Sequence, residues 1–142
     1  MTKGIATGLL IISLVLLIIY GADAGVASAS PSSDGFLPFS EIVRGSAFGG
    51  GAVVMSIIGF VVARKEYMPI VSALLFVNGG LIIAGMLALV AQGTLTTENS
   101  SRAMLTIGST IAMGVVLIIL GSWKVAIDRK AFAAKGKGPA QK

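Results

Sequence analysis

Four apolar runs without a formal charge constrain this chain more than any other feature. They cover Gly4–Tyr20, Gly45–Ala63, Met68–Ala91 and Ala103–Trp123. None contains Asp, Glu, Lys, Arg or His. A helix rises about 1.5 Å per residue, so about 20 such residues cross a hydrocarbon layer of about 30 Å. Lipid has no water to satisfy exposed peptide groups, so runs of this kind must close their hydrogen bonds internally as helices. The expected fold is all-α: an integral membrane four-helix bundle over residues 1–130, followed by a basic tail at 131–142.

The placement of charge supports this reading. All the charged residues, 12% of the chain, lie outside the four runs. A buried soluble core would not sort them so cleanly. If the chain enters from the cytoplasmic side, Lys3, Arg64, Lys65, Lys124, Arg129, Lys130, Lys135, Lys137 and Lys142 share one side. Only Arg44 and Arg102 then fall on the other, together with Asp23, Asp34, Glu41 and Glu98. The positive-inside rule therefore predicts a multi-pass protein of the cell membrane with both termini cytoplasmic. The net charge of +5 does not indicate nucleic acid, because the basic residues sit at membrane edges with no interleaved aromatic surface.

The first run has a second reading. Lys3, the apolar stretch and the small residues around 22–24 and 27–29 also describe a secretory signal peptide, cleaved after residue 24 or 29. Retention is the expectation here, and cleavage would leave three spans. The segment Gly25–Gly35 is rich in Ala, Ser and Gly and reads as an irregular connector. In Phe36–Val43, Pro38 suits the first turn of a short helix lying in the membrane interface; an extended loop is the alternative. The link Arg64–Tyr67 is short enough to force spans two and three into an antiparallel hairpin. The tail Ala131–Lys142 contains nothing to bury, and we expect order there only against a partner or anionic lipid.

Small and polar residues inside the spans mark candidate packing sites. Gly45 and Gly49 form a GxxxG pair, and Ala52, Ser56, Gly59 and Ala63 prolong the small face of span two. Asn78, followed by Gly79 and Gly80, is the one strongly polar side chain deep within a span. An amide in hydrocarbon needs a partner on another helix, and an interhelical hydrogen bond is a simpler role than a solute contact. Gly108, Ala112 and Gly114, near Thr106, Ser109 and Thr110, mark a comparable surface on span four. No Lys-Ser/Thr follows the glycines of span two, so they do not form a phosphate-cradling loop. Asn99-Ser100-Ser101 matches an N-glycosylation acceptor on the outer side.

Chemistry is scarce. There is no Cys and no His, which excludes thiolate and imidazole catalysis and the metal sites built from those groups. No carboxylate lies mid-span, which excludes the proton-carrying subunit of a rotary ATPase. The methionines at 55, 68, 86, 104 and 113 form no spaced thioether cluster and read as core filling. We expect no cofactor, no metal and no active site. The fitting class is a non-catalytic accessory or scaffolding subunit whose partners are other integral membrane subunits and membrane lipid. A small-solute transporter or channel component acting as a homo-oligomer is the alternative.

The short Lys-bearing N-terminus, the Ser/Ala/Asp-rich outer loop, the turn Val61-Val62-Ala63-Arg64-Lys65-Glu66-Tyr67-Met68-Pro69 and the Lys/Gly/Ala tail resemble small membrane proteins of ammonia-oxidising archaea. In particular, the layout is similar to the small accessory subunits of their ammonia monooxygenase. That resemblance implies copper-bearing partner subunits, with no metal ligand carried by this chain.

Overall fold

The computed structural model describes residues 2–32, 35–39, 41–91 and 100–136. Helix α1 spans Thr2–Ala29, and a short helix α2 spans Glu41–Arg44. A π-helical stretch, Gly45–Gly50, leads directly into α3, Gly51–Ala63. Helix α4 is Pro69–Ala91 and α5 is Ser100–Gly136. Four helical stretches are long and apolar enough to cross a membrane: Lys3–Ala29, Gly45–Ala63, Pro69–Ala91 and Met104–Gly136. The chain is a multi-pass, all-α membrane protein.

Helix ends follow local chemistry. Helix α1 continues well past Tyr20, and the connector expected from residue 25 begins only after residue 29. Gly, Ala and Ser between 21 and 29 do not stop a helix. Its last turn is closed by the Ser30 N–H to the Val26 carbonyl at 3.0 Å, with the Ser30 hydroxyl on the same carbonyl at 2.9 Å. Pro31 then disfavours helical backbone at Ser30 and terminates the run. Pro69 occupies the first turn of α4, where a missing N–H leaves nothing unpaired. Pro38 starts no helix: residues 36–39 are bends and α2 begins at Glu41. The interfacial helix expected over Phe36–Val43 is therefore reduced to its last few residues.

Helix α5 differs most from expectation. It runs thirteen residues beyond Trp123, to Gly136, through part of the segment read as an unstructured tail. Ala126, Ala131, Ala133 and Ala134 are strong helix formers, and no proline intervenes before Pro139. Lys135 in the last turn also suits the negative end of the helix dipole. The remainder of the tail, together with Asp34, Glu98 and the Asn99 acceptor, lies outside the described residues.

Each helix buries one stripe. On α1 it is Ala6, Leu10, Ser13 and Leu17, the spacing of a single helical face. On α3 it is Ala52, Val53, Ser56, Gly59, Phe60 and Ala63, and on α4 it is Val71, Ser72, Leu75, Asn78, Gly79, Ile82 and Met86. Helix α1 packs chiefly on α3 and also on α4, while α4 packs chiefly on α5. Helices α3 and α4 are antiparallel but touch only lightly. The short link thus sets their direction without pairing them: α1 supplies the main contact to α3, and α5 the main contact to α4. Phe60 and Trp123, with ring centroids 6.1 Å apart, join α3 to α5 at the end that carries the Arg64–Met68 link.

Candidate functional site

The centre of the bundle is a three-helix polar cluster. Ser13 of α1, Ser56 of α3 and Asn78 of α4 are each fully buried. The Ser13 hydroxyl donates to the Ala52 carbonyl at 2.7 Å and lies 2.7 Å from the Ser56 hydroxyl. With its only proton directed at Ala52, Ser13 must accept from Ser56. The Asn78 Nδ2 group donates to Ser13 Oγ and to Ser56 Oγ, each at 3.1 Å, and approaches the Leu10 carbonyl at 3.5 Å. Proton accounting explains why the amide nitrogen faces the hydroxyls: both hydroxyl protons are already used, so only a donor fits. The Asn78 Oδ1 atom is left buried without a partner.

Glycines set the spacing of α4 against α5. A Cβ placed at Gly79 would lie 2.7 Å from the Gly114 carbonyl oxygen, and one at Gly114 would lie 3.0 Å from the Gly79 carbonyl oxygen. The two backbones therefore meet directly, which only small residues permit. On the other side of the bundle, a Cβ at Gly59 would meet Leu10 at 3.0 Å and the Ala6 carbonyl at 3.2 Å.

Ion pairs close both ends. At one end Arg44 Nη1 donates to Asp23 Oδ2 at 2.6 Å, and the Leu37 N–H donates to Asp23 Oδ1 at 2.8 Å. Gly35 is wedged against this pair so closely that any side chain there would collide with both Arg44 and Asp23. At the other end the Lys124 ammonium, with no exposed surface, donates to Asp128 Oδ1 and to the Glu66 carbonyl at 2.6 Å. The Met68 N–H also reaches Asp128 Oδ1, at 3.3 Å. Asp23 lies ten residues along α1 from Ser13, and Lys124 lies ten residues along α5 from Gly114. At about 1.5 Å per residue, each pair stands about 15 Å from the mid-plane of the bundle. Their separation of about 30 Å matches a bilayer's hydrocarbon thickness.

The residues singled out from sequence divide into two groups. Ala52, Ser56, Gly59, Asn78 and Gly79 are buried where helices meet. Gly45 has Tyr20 over it, with 3.6 Å from a Cβ to the Tyr20 hydroxyl. Gly49, Gly80 and Gly108 have open space where a Cβ would stand, and Ala112 is exposed. Gly114, read from sequence as a packing position of span four, is buried against α4; sequence reasoning missed Ser13 and the buried roles of Asp23, Arg44, Lys124 and Asp128. The four-residue spacing of Lys124 and Asp128 is a readable signal for a helical ion pair, but burial of that pair is not.

Among the described residues, no three His, Cys, Asp or Glu side chains cluster closely enough to hold a metal ion. A cleft of about 290 Å³ opens at the Lys124 end, lined in part by Tyr67, Ser72, Asp128, Arg129 and Phe132. Fold and site together define a polytopic helical membrane protein whose interior polar groups tie helix to helix. The chain matches no protein-family model, no curated protein and no solved structure, so its function is argued from geometry.

Proposed function

We propose that this chain is a non-catalytic scaffolding subunit that packs laterally against other integral membrane proteins. The observation that carries the reading is how the interior polar groups are used. Asn78 binds Ser13 and Ser56, Arg44 binds Asp23, and Lys124 binds Asp128. Asn78 and Arg44 bind partners on other helices, while Lys124 and Asp128 pair along α5 and together hold the α3–α4 link through the Glu66 carbonyl and the Met68 N–H. The exterior, by contrast, presents small positions at Gly49, Gly80 and Gly108 beside broad apolar surface on α5, including Met104, Leu105 and Ile119. Small outward-facing positions allow a second helix to approach closely in lipid.

The proposed setting is the cell membrane, with both termini cytoplasmic on the charge asymmetry above. Single cysteines at Ser32, Thr97 and Ala140 test this: the first two should label from outside intact cells, and labelling of position 140 from outside would reverse the orientation. The narrower setting, an archaeal ammonia monooxygenase with copper-bearing partner subunits, rests on the resemblance of the layout alone.

Purification from native membranes in gentle detergent, with mass spectrometry of the assembly, tests the function. The expected result is a complex of fixed stoichiometry with other integral membrane chains, which falls in abundance when this chain is deleted. Copper-bearing chains in that complex would support the narrower setting. A solitary chain or homo-oligomer that carries a specific solute across liposomes would refute the scaffolding role and establish the transporter alternative.

A further inference from the structure

The geometry points to a binding site for an alkylammonium phosphate, the headgroup chemistry of an aminophospholipid, in the cleft between the start of α4 and the end of α5. Two buried oxygens lack a partner there, and the carboxylate one can only accept. Ser72 and Asp128 are 3% and 5% exposed, and both line the cleft. The Ser72 hydroxyl oxygen and Asp128 Oδ2 have no hydrogen-bond partner. The other Asp128 oxygen is already occupied by Lys124 and the Met68 N–H. A buried acceptor without a partner is costly, so the cleft is incomplete as it stands.

The surroundings narrow the donor's identity. A carboxylate oxygen favours a cationic N–H donor over a neutral hydroxyl. The rings of Tyr67 and Phe132, with centroids 6.1 Å apart, wall the same cleft and suit an ammonium through their electron-rich faces. Arg129 lines it too, is exposed, and makes no ion pair among the described residues. A bare cation would be repelled by Arg129 and Lys124, whereas a cation carrying its own phosphate gives Arg129 an anion to hold. A divalent metal fits poorly, since two free oxygens beside a buried ammonium fall well short of the usual oxygen shell. The cleft holds about 290 Å³, against about 30 Å³ for one water molecule.

Location selects the lipid as source. The cleft lies at the level of the Lys124 pair, at the edge of the hydrocarbon layer, where headgroups meet protein. One face is apolar, with Val125 and Phe132 among its lining residues, and suits the glyceryl and upper acyl region.

The test uses the full chain in mild detergent, examined by native mass spectrometry with phosphatidylethanolamine, phosphatidylcholine and phosphatidylglycerol of identical acyl chains. Phosphatidylethanolamine should be retained about tenfold over phosphatidylcholine, which lacks N–H donors, as expected for about one charge-assisted hydrogen bond. Ser72→Ala should lower that preference, leaving the share held by the Asp128 carboxylate. Arg129→Gln should weaken all three lipids about equally, and both variants should keep the parent's thermal unfolding. Equal retention of the three lipids, or retention unaltered by both variants, would show annular lipid only and overturn the site. Preference for phosphatidylglycerol would overturn the ammonium assignment. Displacement of bound phosphatidylethanolamine by soluble phosphoethanolamine would uphold the headgroup chemistry but assign it to a soluble ligand; no displacement upholds the lipid.

Discussion

The Asn78 cluster makes a quantitative prediction about what joins α1, α3 and α4. Replacing Asn78 with Ala removes two good hydrogen bonds, to Ser13 and Ser56 at 3.1 Å, and a marginal one to Leu10. Replacing Ser56 with Ala removes one of those bonds and the proton that Ser56 gives to Ser13. Each single variant also changes packing volume, so neither value alone isolates the polar term. A double-mutant cycle cancels the cavity contributions and leaves the coupling. Interhelical polar pairs in membranes average about 0.6 kcal/mol and reach about 1.7 kcal/mol. This bond is fully buried and shares its amide with Ser13, so we expect coupling of about 1 kcal/mol, within that range.

Reversible unfolding in mixed micelles provides the assay. The single tryptophan, Trp123, stands beside Phe60 and reports separation of α5 from α3. A single probe there could miss loss of α1 alone, so far-ultraviolet dichroism should be recorded in parallel. Coupling below about 0.3 kcal/mol would lie within the usual additivity of independent sites. That result would mean the hydroxyls find equal partners without the amide, and the cluster would not be what fixes the three helices.

Four further outcomes follow from the packing. Lys124→Met should destabilise the fold by about 3 kcal/mol because it strands Asp128, while Lys124→Met with Asp128→Leu should recover most of the loss, both read from the same unfolding curves. Gly79→Ala should cost about 1–3 kcal/mol, since its new methyl meets the Gly114 carbonyl, whereas Gly80→Ala should be neutral or slightly stabilising. Gly35→Ala should loosen the Asp23–Arg44 closure and raise amide exchange at Leu37, whose N–H is held by Asp23. Gly49→Leu should leave the isolated chain's stability unchanged, as a Cβ there would meet no atom of another helix within 4 Å; loss of partner co-purification in that variant would assign Gly49 to the lateral interface.

The spans were legible because their signal is strong and additive: an uncharged run of bilayer length has few alternatives to a helix. Asn78 was legible for the same reason, as one amide in an otherwise apolar run. Ser13 was not, because a serine in a membrane helix usually satisfies itself on its own preceding carbonyl. Only the three-dimensional approach of Ala52 and Ser56 gives it another partner. The extension of α5 was hidden by its composition, since Lys, Ala and Gly describe both a solvated tail and a projecting helix. Gly49 and Gly79 look alike in sequence, each beside another glycine. Their opposite environments are decided by which face of the π-helical stretch or of α4 meets a neighbour, and the glycine pattern does not encode this.

Charge counting treats every Lys and Arg as a solvated boundary marker, yet two of those counted are buried. Arg44 is 6% exposed and paired with Asp23, and Lys124 is wholly buried and paired with Asp128. A paired, buried charge is a weak guide to which side of a membrane a loop prefers, because its partner cancels most of its field. Removing both leaves Lys3, Arg64, Lys65, Arg129, Lys130, Lys135, Lys137 and Lys142 on one side against Arg102 alone on the other. The asymmetry that motivates the proposed orientation therefore does not depend on the buried pairs. Neutralising Lys124 and Asp128 together should alter stability without inverting the chain, whereas reversing the charges at Arg64, Lys65, Arg129 and Lys130 should produce a mixed orientation. Cysteine labelling at Ser32 reads both outcomes, and inversion by the buried pair alone would show that the pair, and not the exposed charge, directs insertion.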